Sequence, residues 1–200
     1  MSTRTLPFYI REEDPPAKRE ILRAAMKLFS ERGLAATSIR DIAEESGYTN
    51  PALYKHFASK EELALHLFET CHHRVWALCQ AAIASGKSFD EKLERYVGQW
   101  LDLVDEHPTV IAFLSDSARE LWPKSGRSVR RQTMIGLART LAREARPSGR
   151  GASAVDPDLA AASLQGTLAE LARMLQVGVL EGPATRWKQG LVALFRRLLA

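Results

Sequence analysis

Residues 37–57 read TSIRDIAEESGYTNPALYKHF. Ile39, Ile42 and Ala43 recur at the spacing of one helical face, and Thr37 or Ser38 stands just before them, where a hydroxyl can accept from an unpaired amide. Gly47 follows the last periodic residue, the usual place of a left-handed residue that closes a helix. Beyond the turn at 46–49, Thr49 stands as the cap of another short helix, Pro51 lies in its first turn, and Leu53 and Phe57 turn inward. Helices this short do not persist alone in water, so both must pack on something larger. The upstream residues supply it: Ile21, Ala25, Leu28 and Phe29 form one stripe of a helix that opens near Asp14-Pro15-Pro16 and ends at Gly33. One longer helix and two short ones joined by a glycine turn make a helix-turn-helix, whose last helix enters the DNA major groove.

With Leu53 and Phe57 committed to a core, Thr49, Asn50, Ala52, Lys55 and His56 face outward, with Pro51 and Tyr54 at the margins. Asn can bond an adenine edge twice, and Lys can donate to guanine acceptors. Thr37, Ser38, Thr49, Tyr54, His56 and Lys60 carry hydroxyls or cations suited to phosphate oxygens, and the helix starts near residues 38 and 60 favour anions.

Helical periodicity continues to the last residue, and no stretch alternates as a strand does, so the expected fold is all-α with about nine helices. Ser59-Lys60-Glu61-Glu62 is a capping box opening a long fourth helix to about Ser85, and Ser88-Phe89-Asp90-Glu91 opens a fifth. Pro108 starts a sixth helix ending near Trp122-Pro123, and a seventh covers about 127–146. The Gly-, Ser- and Pro-rich segment 147–155 is a loop, an eighth helix runs from Asp156-Pro157 to about Leu180, and a ninth follows Gly182-Pro183. The expected organisation is an N-terminal arm (1–15), a helix-turn-helix domain (16–60) and a larger helical domain (61–200).

The eighth and ninth helices are more apolar than one chain of 200 residues can cover. Leu164, Leu168, Leu171 and Leu175 on one, with Leu191, Leu194, Phe195 and Leu198 on the other, predict a face for a second copy of the chain. Tyr96, Trp100, Phe113, Trp122, Met134 and Met174 are the candidates to line a cavity for a largely apolar small molecule, although each also suits plain core.

The motifs together are recognisable. Ile21-Leu22-x-Ala-Ala-x-x-Leu28-Phe29, Gly33, Thr37-Ser38-Ile39-x-Asp41-Ile42-Ala43, Gly47 and Leu53-Tyr54-x-His56-Phe57-x-Ser59-Lys60-Glu61-Glu62-Leu63 closely resemble the DNA-binding region of the TetR/AcrR family of bacterial regulators. The resemblance covers roughly residues 17 to 66. It implies a homodimer built on the last two helices, a C-terminal ligand-binding domain, and a near-palindromic double-stranded DNA operator released when a small-molecule effector binds. It also places Thr37, Tyr54, His56 and Lys60 on phosphates, and Thr49, Asn50, Pro51 and Lys55 on base edges. A DNA-binding protein of the same shape governed by a protein partner is the alternative.

Other classes find little support. The composition, 46% hydrophobic and 26% charged, is that of a globular protein. No stretch approaches the roughly 20 apolar residues of a membrane span, and the start lacks a signal peptide's apolar run, so a cytoplasmic protein is expected. Cys71 and Cys79 on one helix would stand about 12 Å apart, too far for a disulfide. Gly86-Lys87-Ser88 lacks the glycine a phosphate loop needs five residues before its last, since position 81 is Ala. Cys71, His72, His73 and Cys79 have no metal-ligand spacing, so neither metal nor cofactor is expected, and no catalytic motif marks an enzyme. The net charge of +4 is a poor guide. Residues 1–60 hold ten basic and eight acidic side chains, whereas 124–150 hold eight and one. That second segment reads as a solvated arginine surface or a secondary anion site, and Arg4 and Arg11 as an arm toward DNA.

Overall fold

The computed structural model describes residues 6–145 and 155–199. They form ten α-helices and no strand: α1 Pro16–Arg32, α2 Ile39–Ser46, α3 Asn50–Tyr54, α4 Lys60–Ser85, α5 Phe89–Glu106, α6 Pro108–Leu121, α7 Arg127–Arg131, α8 Met134–Glu144, α9 Pro157–Gln176 and α10 Lys188–Leu199. Short 3-10 turns occupy Trp122–Lys124 and Ala184–Trp187. The chain divides into two compact units, one of residues up to 74 with 109–130, the other of 75–108 with the residues from 131 on.

The N-terminal unit is built on α1. Pro16 starts it where a missing amide hydrogen costs nothing, and Gly33, at φ 80°, ends it. Its Ile21, Leu22, Ala25, Leu28 and Phe29 are buried with Ile42 of α2, Leu53 of α3, and Leu63, Leu67 and Phe68 of α4. Val110, Phe113 and Leu121 of α6 join the same core, Phe113 stacking on Phe29 with ring centroids 6.0 Å apart. The segment before α1 is packed too. Ile10 is buried in that core, and Arg74 of α4 donates to the carbonyls of Phe8 and Ile10. Arg11 is exposed at the surface of this segment; Arg4 lies outside the described residues.

In the C-terminal unit, α5 buries Leu93, Tyr96, Val97, Trp100, Leu101 and Val104. The Tyr96 hydroxyl donates to Gln165 Oε1 of α9 at 2.9 Å. Helices α8 and α9 pack on one another, and α10, which buries Leu191, Val192, Phe195 and Leu199, packs on α5.

Two expectations need correction. The seventh predicted helix is two, because the Thr133 hydroxyl accepts from the Gly136 amide at 3.0 Å and starts a new helix. The eighth ends at Gln176, four residues early, before Gly178 at φ 73°. The predicted end of the seventh at Arg146 and the predicted loop, except Val155, lie outside the described residues.

Candidate nucleic-acid interface

The site is assembled from caps. Ser38 Oγ accepts from the Asp41 amide at 3.2 Å, while Asp41 Oδ2 accepts from the Ser38 amide and hydroxyl at 2.7 Å each. That reciprocal pair starts α2 and holds the Asp41 carboxyl below its ordinary pKa through bonds from the Ser38 hydroxyl and amide. Gly47, at φ 74° and ψ 15°, closes α2, its amide reaching back to Ala43 and Glu44. Thr49 then turns the chain, its carbonyl accepting from Ala52 and Leu53 at 2.9 and 3.1 Å to begin α3.

Only Leu53 of α3 is buried, at 1% exposure; Phe57, just beyond, is buried beside it. Thr49, Asn50, Pro51, Tyr54 and Lys55 are exposed, Tyr54 to 54%, and His56 is half-exposed. Thr49 makes no side-chain cap, so its hydroxyl is not spent on the helix start. Two acids of α2 and α4 are paired, Glu45 with Lys27 at 2.6 Å and Glu61 with Lys124 at 2.6 Å. The exposed side chains of the α3 segment offer a ligand of high negative charge hydroxyls, an amide and Lys55.

Two residues read as phosphate contacts sit elsewhere. Thr37 is turned inward at 1% exposure, its hydroxyl donating to the Gly33 carbonyl at 2.9 Å, so its side chain has no surface to offer. The ammonium of half-buried Lys60 donates to the carbonyls of Leu34 and Thr37, 2.7 Å from each, and pins the α1–α2 connection to the first residue of α4. Ser59 Oγ accepts from Glu62, but Glu62 reaches back to the amide of Ala58, one residue beyond the usual box.

Beneath the site lies a cluster the sequence did not reveal. Asp14, 5% exposed, accepts from Lys18 at 2.7 Å and from the Arg11 amide at 2.9 Å; burial opposes its ionisation, but these bonds outweigh burial and keep its pKa low. The Lys18 ammonium lies over the Phe57 ring, and His66 packs against the same ring at 5.4 Å. His66 Nε2 is buried without a partner, and burial, then the charge of Lys18, pushes the imidazole pKa down. The only trace in sequence was Asp14 before the paired prolines, which reads as a plain helix start.

The six candidate ligand residues fall in different units. Phe113 is core of the N-terminal unit, and there Trp122 meets His72 edge-on at 5.0 Å. Tyr96 and Trp100 are buried in the C-terminal unit, where Met134 and Met174 are half-buried. A surface groove of about 290 Å³ in that unit is lined by Ala82, Ser85, Arg95, Gly98, Gln99, Asp102 and Lys188, none of the six. Trp100 Nε1 and Trp187 Nε1 are buried with no partner. Among the predicted dimer residues, Leu164, Leu168, Leu191 and Phe195 are buried inside the single chain by its own helices and retain almost no area for a partner. Leu171, Leu175 and Leu198 are half-buried, and Leu194 is 51% exposed.

Among the described residues no group of three or more His, Cys, Asp or Glu is placed to hold a metal ion. Burial pushes both thiols, Cys71 and Cys79, up to about 12, which leaves them unreactive. No described helix is long and apolar enough to cross a membrane.

A short helix anchored by one leucine, exposing Thr49, Asn50, Pro51, Tyr54 and Lys55 behind a glycine turn, defines a helix-turn-helix DNA-binding protein. Residues 21–67 match the family model described as bacterial regulatory proteins, tetR family. The DNA-binding region of this chain is therefore that of the tetR family of bacterial regulatory proteins. The HTH-type transcriptional repressor KstR2 of Rhodococcus jostii strain RHA1 is 32% identical over 104 residues, 52% of this chain and 51% of that protein. The chain thus spans about half the length of the curated relatives it matches. The fold likeness is wider. The ketosteroid transcriptional regulator KstR2 of Mycobacterium tuberculosis superposes with a TM-score of 0.74 at 24% identity, over 89% of this chain and 92% of that one. The regulator FadR of Bacillus subtilis, solved in complex with stearoyl-CoA, gives 0.70 at 16% identity over 90% and 98%.

Proposed function

We propose that the protein is a cytoplasmic homodimeric repressor that occupies a near-palindromic operator and leaves it when a largely apolar small molecule enters its C-terminal unit. The observation that carries the reading is the exposure of Thr49, Asn50, Tyr54 and Lys55 on and beside α3; in this reading Asn50 and Lys55 reach base edges, while Thr49, Tyr54 and His56 take phosphates. Ser38, exposed at the start of α2, contributes through a helix N-terminus, which favours an anion.

Two copies would set their α3 helices in successive major grooves about 34 Å apart. The face for the second copy is the outer side of α9 and α10, where Ala162, Gly166, Ala169, Gly190, Ala193 and Leu194 are exposed. A Cβ built on Gly166 or Gly190 meets nothing within 4 Å, so another helix can approach closely there. For the effector, the stearoyl-CoA in complex with FadR and the ketosteroid regulator KstR2 both support an apolar body. The unpartnered indole N–H of Trp100 is a buried donor that an oxygen on such a molecule would satisfy.

Selection of binding sites from random duplex DNA with the purified protein tests the first half, with inverted repeats as the expected result. Titrating a series of acyl-CoA and steroid compounds against the selected duplex tests the second. Failure to enrich any sequence overturns operator binding; enrichment with no compound lowering affinity overturns the effector and favours control by a protein partner.

A further inference from the structure

The chain enters α10 through a start that cannot cap itself. Pro183 precedes the 3-10 turn Ala184–Trp187, has no side chain able to accept a hydrogen bond, and makes no cap. The first amides of the turn would be unpaired, and that of Ala184 belongs to a residue with no exposed surface. The acceptor comes from another helix: Asp105, in the last turn of α5, takes the Ala184 amide on Oδ1 at 2.5 Å, and the Thr185 amide and hydroxyl on Oδ2 at 3.0 and 2.9 Å. One carboxylate thus supplies in trans the cap that the local sequence lacks.

The other polar ties from α5 to α10 are of a different kind. Glu94 and Lys188 are 3.7 Å apart, and Asp90 meets Arg196 at 2.6 Å, both pairs about half exposed. Exposed pairs of this sort contribute little to holding an element in place. Hydrophobic burial presses α10 onto α5, but apolar contact is not directional and leaves its register and start loosely specified. The three directional bonds at Asp105 set both.

We infer that Asp105 is the positioning residue of the self-association face: by capping the turn at 184–185 it fixes the azimuth of α10 and the presentation of Gly190, Ala193 and Leu194 to a second copy. This rests on the dimer reading above. Asp105 bonds to the turn that precedes α10 and acts through α10. A loosened start spreads α10 over several orientations, only one of which matches a partner, and dimer affinity falls with the competent fraction of each subunit.

The test is sedimentation equilibrium on the full chain and on Asp105→Ala, Asp105→Asn and Thr185→Val, with hydrogen exchange followed in the peptide containing residues 184–190. The parent should dimerise. Asp105→Ala should raise the dimer dissociation constant about tenfold or more, the scale of leaving a buried amide unpaired, with helix content unchanged. Asp105→Asn keeps one acceptor oxygen and should recover part of the loss, while amides 184–185 exchange faster in both. A parent dimer matched by an equally tight Asp105→Ala dimer overturns the inference and leaves the dimer reading intact. A parent that is monomeric at all concentrations overturns that reading and the inference with it. Should Asp105→Ala fail to fold, Thr185→Val decides: it removes one bond of the three, and a constant raised about threefold supports the latch while an unchanged one refutes it.

Discussion

Replacing Lys60 with alanine separates two roles that a lysine at the start of α4 could play. As a phosphate contact, its loss would lower the slope of log affinity against log salt by about 0.9, the value for one neutralised phosphate. In the structure, however, two of the three ammonium hydrogens are given to the carbonyls of Leu34 and Thr37, each at 2.7 Å. Bonds from a charged donor are worth ~1.5–3 kcal/mol each, and water reaching the half-exposed connection recovers much of that, so the net loss is ~1–2 kcal/mol. That loss falls on the stretch between α1 and α2 and loosens the frame carrying α3. The expected result is a thermal midpoint lowered by about 2–8 °C and DNA affinity reduced about tenfold at every salt concentration, with the salt slope preserved. Fluorescence anisotropy on one duplex at four salt concentrations, beside calorimetry, gives both numbers. A slope reduced by about one with an unchanged midpoint would refute the reasoning and restore Lys60 to the phosphates.

Asn50→Ala should behave oppositely: an unchanged melting temperature, an unchanged salt slope, and relaxed preference at one base pair per half-site by ~1–3 kcal/mol, read by competition among single-substitution duplexes. The cluster under Phe57 predicts a pH response. Because the imidazole pKa of His66 is depressed below 6.5 in the fold, the unfolded chain binds the proton first, and stability is lost as pH falls through about 6.5. Lys18 and Arg11 oppose that proton, while Asp14 and Glu69 favour it. Melting curves from pH 7.5 to 5 should therefore fall less steeply for His66→Leu than for the parent; equal slopes would exclude His66 as the source.

Much of this was legible because capping chemistry is local. Ser38 with Asp41, Gly47, Ser59 with Glu62 and Ser88 with Glu91 each announce a boundary within a few residues, and each boundary is where the structure has it. The exposed residues of α3 were legible by elimination, since burying Leu53 and Phe57 leaves few choices on so short a helix. Thr37 was not, because a threonine beside a cap serine has the same chemistry whether it faces water or the Gly33 carbonyl. The split at Thr133 left a signal, a hydroxyl three residues before Gly136, outweighed by the surrounding helical period. Nothing local could show that α6 would place Phe113 on Phe29, or that Leu164, Leu168, Leu191 and Phe195 would be covered by the chain's own helices. Apolar periodicity reports that a face must be buried and is silent on what buries it.

Helix α3 is five residues long, about one and a half turns, and commits Leu53 alone to the interior. Its outward side chains are supported by the protein yet support little of it in return. Substitutions at Thr49, Asn50 or Lys55 therefore leave the folded state nearly as populated as before, since surface changes usually stay within about 0.5 kcal/mol. A lineage carrying this helix can pass from one operator to another through intermediates that all fold, so that sequence preference evolves as a trait separable from stability.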